Sequence, residues 1–419
     1  MSERARRGFV AHLHPLVVSE RALRPGTTMG LGLISLTLLG LLTLSGLLLM
    51  VYYTPSPARA HGSLLDLQYA VTFGAFLRTL HRWSTYALLC SVALHGLRVV
   101  LQVAYRDRAL NWLLGLSLLS LILLLSFTGY LLPWDQRSVW ATVVTSELLL
   151  QVPGLGAPLA ELFLGGRGVG EAALLRFYTL HVALAPGLLL GLLVWHLWRV
   201  RRDGGLAVEA REQRGALVPS SPHLLTREAI LALALSALLV LLATAWPASL
   251  GAVADLEHPT NPEKAPWFFL GLQELVSYSA LVGGLLFPTA LSLLLLSLPF
   301  LDRERGGVGR WPRGGALFWE LLLPALLSLL LFGALAARRL STEAARLATG
   351  ELVNPASGML LFAGLLFLGV RARRGSARAG LRAALVCLCV ALLGATLLGL
   401  LRGPDWVVDL LAASGGADG

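Results

Sequence analysis

Charge is what this chain most conspicuously lacks. Of 419 residues only 14% are Asp, Glu, Lys or Arg, whereas 56% are hydrophobic and the mean hydropathy is +0.71. A water-soluble domain with that balance would expose too much apolar surface, so the composition points to a polytopic helical membrane protein. Lysine is nearly missing: Lys264 is the sole one among 34 basic residues. The formal charge of +10 is therefore an arginine surplus. In so apolar a chain that surplus marks cytoplasmic loops and lipid headgroups rather than nucleic acid, and no nucleic-acid motif accompanies it. Cysteine is equally scarce. Cys90, Cys387 and Cys389 form neither a C-x-x-C-H motif nor a cluster. A c-type haem attached through that motif is excluded, as is an iron–sulfur cluster on cysteines. Cys387 and Cys389, two apart on a Leu-rich stretch, read as lipid-facing or core residues. The basic N-terminus (Arg4, Arg6, Arg7) runs about 27 residues before any apolar stretch, which is unlike a cleaved signal peptide.

Long apolar runs are what the chain does have. Nine spans are expected, at about 28–53, 76–104, 111–132, 174–199, 227–247, 278–300, 316–336, 356–370 and 382–401. The eighth is short enough to be re-entrant or tilted. Arginines collect in alternate connections: the N-terminal segment with Arg21 and Arg24, Arg106 and Arg108, Arg199 to Arg227, Arg303 to Arg313, and Arg371 to Arg382. The intervening connections are sparser, and 247–277 carries only Lys264. The positive-inside rule then sets the N-terminus in the cytoplasm and the C-terminus outside. The expected fold is all-α, a polytopic transmembrane bundle with a four-helix core. Its expected divisions are an amphipathic segment 1–27, a four-helix domain 28–202, a cytoplasmic linker 203–224, a second domain 225–340 and an additional membrane region 341–419.

Four histidines stand inside these runs. His81 and His95 are 14 residues apart in the second span, His181 and His196 15 apart in the fourth. An α-helix turns about 100° and rises about 1.5 Å per residue. Fourteen steps return to nearly the same face roughly 21 Å further on, and fifteen miss it by about 60°. His81 with His181 lies at outer depth, His95 with His196 at inner depth. A lone histidine in such a place is ordinarily a satisfied core residue. Four at matched depths are different, because ionisable groups in a bilayer are costly and generally functional. Two pairs suit two b-type haems, each iron held by two imidazoles. The other histidines (His12, His14, His61, His223, His258) fall in connections or the N-terminal segment.

The first and third spans repeat the interval in glycine: Gly32 and Gly46, Gly115 and Gly129. Glycine lets a large flat group approach a helix backbone, although small residues also pack helices without any ligand. Arg78 lies three residues before His81 and Arg98 three after His95, each toward a membrane surface. Either can pair with a haem propionate or simply snorkel.

Several segments carry a resemblance: Arg78-Thr-Leu-His81-Arg-Trp-Ser, His95-Gly-Leu-Arg98, Trp112-Leu-Leu-Gly115, Gly129-Tyr-Leu-Leu-Pro133-Trp-Asp-Gln136, Trp140 to Thr145, Arg176 to His181, Pro186 and His196. Together they resemble cytochrome b of the Rieske-associated respiratory bc complexes and its photosynthetic bf-type relative. H-R-W-S, P-W-D-Q and the 15-residue interval are nearer the bf-type branch. The likeness is close over 28–200 and looser over 225–340, as though two chains of the photosynthetic complex were joined through 203–224. The resemblance implies a quinol oxidoreductase subunit in the cell membrane. Quinol is oxidised at an outer site, one electron goes to a Rieske protein, and the other crosses two b haems to an inner quinone site, with proton translocation. It further implies a c-type cytochrome or other high-potential acceptor, lipid contacts and a homodimeric complex.

The outer quinone site is then expected at Pro133, Trp134 and Trp140 together with Pro266, Trp267 and Phe268, and Tyr130 is counted among its catalytic residues. Arg199, heading Arg201 and Arg202 after the inner histidine, is the candidate on the inner side, with plain lipid anchoring as its alternative. Two departures stand out. Pro266 occupies the place of the family's proton-accepting Glu in P-E-W-Y, so Glu274 or Asp135 is expected to take the proton, unless Glu274 is merely a surface residue. Gly30 stands where the bf-type branch carries the Cys of a covalent extra haem, so no such haem is expected. Two other readings compete. A di-haem membrane anchor would move electrons between the quinone pool and a partner oxidoreductase without bifurcation. A solute transporter with intramembrane histidines would bind no haem.

Overall fold

The computed structural model describes residues 16–205, 216–255, 257–259, 263–341 and 354–404. Most of the N-terminal segment, with His12 and His14, lies outside the described residues, as do the middle of the 203–224 linker and the end of the 341–419 region. In chain order the elements are β1 (Val17–Ser19), α1 (Leu31–Tyr52), α2 (Ala60–Tyr69), α3 (Gly74–Leu101), α4 (Ala109–Leu131), α5 (Gln136–Leu150) and α6 (Gly156–Leu164). There follow α7 (Glu171–Arg202), β2 (Leu217–Pro219), α8 (Ser220–Ala245), α9 (Trp267–Tyr278), α10 (Ala280–Leu301), α11 (Gly315–Arg339), α12 (Pro355–Arg374) and α13 (Ala377–Leu400). The described residues are all-α apart from the antiparallel pair β1–β2, whose register sets Val18 opposite Val218, and an isolated bridge between Asp135 and Val253. Among the described residues nine helices, α1, α3, α4, α7, α8 and α10 to α13, are long and apolar enough to cross a membrane.

The eighth span is longer than its apolar run. α12 has 20 residues, about 30 Å of helix, enough for a full crossing. It starts on a capping box between Asn354 and Ser357 and runs on through Arg371, Arg373 and Arg374 to Gly375 at φ +63°. Cations at a helix C-terminus complement its dipole and reach headgroups, so they extend the helix beyond its apolar part.

Contacts divide the chain into two compact units that do not follow chain order. One comprises residues 1–133, 174–250 and 306–311, and the other 134–173, 251–305 and 312–419. In the first unit α1 packs on α3 and α4 on α7, while α8 lies against α1 and α3. Each histidine helix thus lies beside the glycine helix that precedes it in sequence. In the second unit the C-terminal hairpin α12–α13 forms the centre. An alanine face of α13 (Ala379, Ala383, Ala391, Ala395) is fully buried with Met359 and Cys387. Small residues let helices approach closely where lipid gives no hydrophobic drive between them. The buried start of α13 is tied by ion pairs: Arg378 Nε to Asp302 Oδ2 (2.7 Å) and Arg382 Nη1 to Glu320 Oε2 (2.8 Å). Buried charges of this kind persist only when paired.

Candidate functional site

The first unit brings His81 and His181 together. Their ring centroids are 6.3 Å apart with planes at 68°. Each ring is oriented through Nδ1. His181 Nδ1 lies 3.0 Å from the Leu125 carbonyl and 3.2 Å from Thr128 Oγ1. A carbonyl only accepts, so Nδ1 carries the proton and Nε2 keeps a free lone pair. His81 Nδ1 lies 2.9 Å from Ser45 Oγ. That hydroxyl donates to the Leu41 carbonyl (2.7 Å) and so is left to accept from Nδ1. Two imidazoles bonded to one iron at about 2 Å would hold their centres roughly 6 Å apart. The spacing and the two available Nε2 atoms fit a bis-imidazole haem iron.

The four glycines each face one histidine. A Cβ built on Gly46 would lie 3.3 Å from His81 Cε1, and one on Gly129 2.5 Å from His181 Cε1. For Gly32 and His95 the distance is 3.8 Å, and for Gly115 and His196 3.6 Å. Gly46 and Gly129 therefore face the His81–His181 pair, Gly32 and Gly115 the rings of His95 and His196. His95 and His196 are close enough to interact electrostatically. Their buried Nδ1 atoms have no hydrogen-bond partner among the described residues.

The 15-residue interval in α7 has a local cause. Leu180–Leu184 forms a π turn that contains His181, and Pro186 follows one residue beyond it. Proline has no N–H to give, and a π turn inserts one residue into the helix. The extra residue absorbs the 60° offset, so His181 and His196 share a face as His81 and His95 do.

The flanking arginines are held within the same unit. Arg78 donates to Gln68 Oε1 (2.7 Å) and to the carbonyls of Ala248 and Ser249. Arg98 is buried and donates to Gln102 Oε1 (2.9 Å). Arg199 pairs with Asp203 (3.0 Å). Gly30 caps α1 at φ +63°, and a Cβ there would meet Leu231 Cδ2 at 2.5 Å, so the backbone itself calls for glycine. A cavity of about 390 Å³ is lined by Glu20, Leu23, Arg24, Val218, His223 and Arg227. Its two walls are some 200 residues apart in the chain, so no local sequence pattern marks it. Tyr130 is half-buried near the end of α4, and Pro133 closes this unit's first segment.

In the second unit Trp134 (φ +50°) leads into Asp135, which caps α5: its Oδ1 accepts from Ser138 N–H (3.0 Å) and its Oδ2 from Gly251 N–H (3.2 Å). Gln136 and Trp140 hold the following loop. Gln136 Nε2 donates to the His258 carbonyl (2.8 Å) and Trp140 Nε1 to the Asp255 carbonyl (3.1 Å). Pro266 precedes the first turn of α9, where Trp267 and Phe268 pack edge to face at 5.6 Å. Glu274 is not a surface residue. It is fully buried, and Arg402 clamps it through Nε to Oε2 (3.0 Å) and Nη2 to Oε1. The Tyr278 hydroxyl donates to Oε1 (2.7 Å). Taking a proton would cost Glu274 these charge-assisted bonds, whereas Asp135 holds only two neutral backbone donors. Arg402 was invisible as a partner in the sequence, although a buried carboxylate beside a membrane span demands one.

A family model described as "Cytochrome b(N-terminal)/b6/petB" matches residues 86–252. Cytochrome b6 of Heliobacterium mobile is 42% identical over 172 residues, 40% of this chain and 81% of that protein. The menaquinol:cytochrome c reductase cytochrome b subunit of Geobacillus thermodenitrificans is 39% identical over 163 residues, 38% of this chain and 73% of its own. The cytochrome bc complex cytochrome b subunit of Chlorobaculum thiosulfatiphilum is 35% identical over 273 residues, 62% of this chain and 63% of that one. The match therefore spans just under two thirds of that longer relative. Among solved structures, a chain of a hyperthermophilic respiratory Complex III superposes with a TM-score of 0.68 at 26% identity, covering 87% of this chain and 93% of that one.

Proposed function

The chain belongs to the cytochrome b/b6 family, and we propose that it is the cytochrome b subunit of a quinol-oxidising complex of the bc type. Quinol is oxidised on the outer side. One electron leaves to a Rieske iron–sulfur protein, and onward to a c-type cytochrome or another high-potential acceptor. The other crosses to a quinone on the inner side, with protons released outside and taken up inside. The complex is a homodimer in the cell membrane, and the N-terminus of this subunit is cytoplasmic.

The observation that carries this reading is the two-level set of histidines, with the His81 and His181 rings 6.3 Å apart and a glycine against every ring. Two b haems, bound by His81 with His181 and by His95 with His196, would supply one-electron carriers at two depths. Ser45 and the Leu125 carbonyl fix the tautomers of the outer imidazoles and so aim Nε2 at the metal position. Arg78 and Arg98 supply positive charge for haem propionates. The segments 133–140 and 266–268 are the proposed quinol-binding stretches, with Asp135 as the carboxylate that takes a proton. On the cytoplasmic side the cavity between Glu20 and Arg227 offers an inner quinone two arginines to hold its oxygens. His223 and Glu20 line the same cavity.

Pro266, in the place of the family's Glu, favours a second reading, a di-haem anchor that moves electrons without splitting them. One experiment separates the two. A redox titration of the purified complex should resolve two b-type components. With an outer-site quinol inhibitor absent and the inner quinone route blocked, adding oxidant should drive b haem reduction. Two haems without oxidant-induced reduction would leave only the anchor, and the lack of any b-haem α band would reject both.

A further inference from the structure

The spans beyond residue 350 have no part in the proposed electron path, yet their end is bound to the segment expected to meet quinol. Lys264 Nζ donates to the Leu400 carbonyl at 3.0 Å. Arg402 clamps Glu274 in the buried pair described above. Lys264 lies before Pro266-Trp267-Phe268 and Glu274 after it, so the two flanks of that segment are tied to Leu400 and Arg402, two residues apart where α13 ends.

The helices between the ties leave no slack. A Cβ on Gly399 would fall 2.8 Å from Leu270 Cγ, and one on Gly271 2.6 Å from the Leu392 carbonyl, so α9 and α13 touch backbone to backbone. Gln273 adds an internal staple: its Oε1 accepts from Ala265 N–H (2.7 Å) and its Nε2 donates to the Glu263 carbonyl (2.7 Å). The stretch before Pro266 is thereby folded back onto the second turn of α9.

We propose that the end of the ninth span, Leu400 to Arg402, positions the Pro266–Phe268 segment for quinol, with Arg402 as the positioning residue acting through Glu274. The C-terminal hairpin is then a working part of the quinol site. Glu274 is its tether, and its two oxygens are committed to holding α9 in register. Arg402 and Tyr278 use three donors to hold one carboxylate, a fork that a lysine ammonium reproduces only in part.

The proposal rests on the quinol-oxidising reading, so its test separates the two. Arg402→Met, Arg402→Lys and the double variant Glu274→Met/Arg402→Met are prepared in the intact complex. The double variant leaves no unpaired buried charge and covers the case in which the single one fails to assemble. Haem content from reduced-minus-oxidised spectra reports assembly. Amide exchange over 263–270 reports positioning, and quinol KM and kcat report function. Arg402→Met and the double variant should keep both haems, speed exchange over 263–270 at least tenfold and raise quinol KM at least fivefold with a smaller change in kcat. Arg402→Lys should recover part of the KM. Exchange and KM within twofold of the parent in an assembled variant would overturn the positioning role. Faster exchange in variants of a parent that oxidises no quinol would support the tether and reject the quinol reading instead.

Discussion

Alanine at the four glycines should have graded effects set by distance alone. At Gly129 a Cβ would stand 2.5 Å from His181 Cε1, closer than real Cβ atoms come, with Nδ1 and Nε2 also tight at 3.1 and 3.2 Å. The ring cannot simply swing, because the Leu125 carbonyl and Thr128 hold its Nδ1. Overpacking of this kind costs about 1–3 kcal/mol, against which alanine returns roughly 0.5–1 kcal/mol of helix preference. The net, up to about 2 kcal/mol, falls on the ligand geometry of the outer pair and corresponds to more than tenfold in haem retention. At Gly46 the contact is 3.3 Å, tight but within reach of a few tenths of an ångström of relaxation. At Gly32 and Gly115 the distances of 3.8 and 3.6 Å are ordinary van der Waals contacts, so the helix preference dominates there. The assay is a redox titration of the b-haem α band in each single variant. Gly129→Ala should lose or strongly shift the outer component, Gly46→Ala should shift it modestly, and Gly32→Ala and Gly115→Ala should retain the inner one. Equal losses in all four would refute the reasoning, as would retention in Gly129→Ala alone.

Ser45→Ala removes the acceptor for His81 Nδ1–H, makes that imidazole a weaker donor to iron and should raise the outer midpoint potential by tens of millivolts, leaving the inner one unchanged; an unshifted outer potential sinks this. Asp135→Asn keeps an equally good helix cap but removes a carboxylate, so quinol oxidation should slow at least tenfold at unchanged haem content, and near-normal turnover would clear Asp135 of a proton-accepting role. Burial holds the Lys264 amine below the usual lysine range, which raises its reactive unprotonated fraction at neutral pH. As the sole lysine, it should carry an impermeant amine label, read by peptide mapping apart from the N-terminal amine, in spheroplasts and not in inverted vesicles, and the reverse pattern at Lys264 would overturn the proposed orientation.

The membrane class, the nine spans and the pairing of histidines by depth were legible because each rests on a local pattern: apolar length, loop arginine and a repeat near the helical period. The glycines were legible for the same reason, although the object they admit at closest range is the imidazole itself. The interval of 15 looked like an imperfection in the repeat and is instead produced by the π turn at Leu180–Leu184. Nothing in the composition of that stretch announces a π turn except Pro186, whose missing N–H frees a carbonyl one turn earlier. Local periodicity also underestimated α12, because its last turn is built from arginines that no apolar count includes.

Partners of buried charges follow a different logic. Glu274 and Arg402 are 128 residues apart, Asp302 and Arg378 76, and Glu320 and Arg382 62. Each acid lies in the family-like part of the chain or its connections, and each base lies in the C-terminal hairpin. No spacing rule joins them, yet all three acids are buried, and a carboxylate taken out of water without a cation is strongly destabilising. Three carboxylates met by three arginines of one hairpin mean that the hairpin and the α9–α11 region each leave buried charges unmatched without the other. By apolar pattern alone 341–419 is an addition to the core. Charge pairing makes it a complement of that core, and the Arg402 end of it reaches the one helix whose first turn carries Trp267 and Phe268.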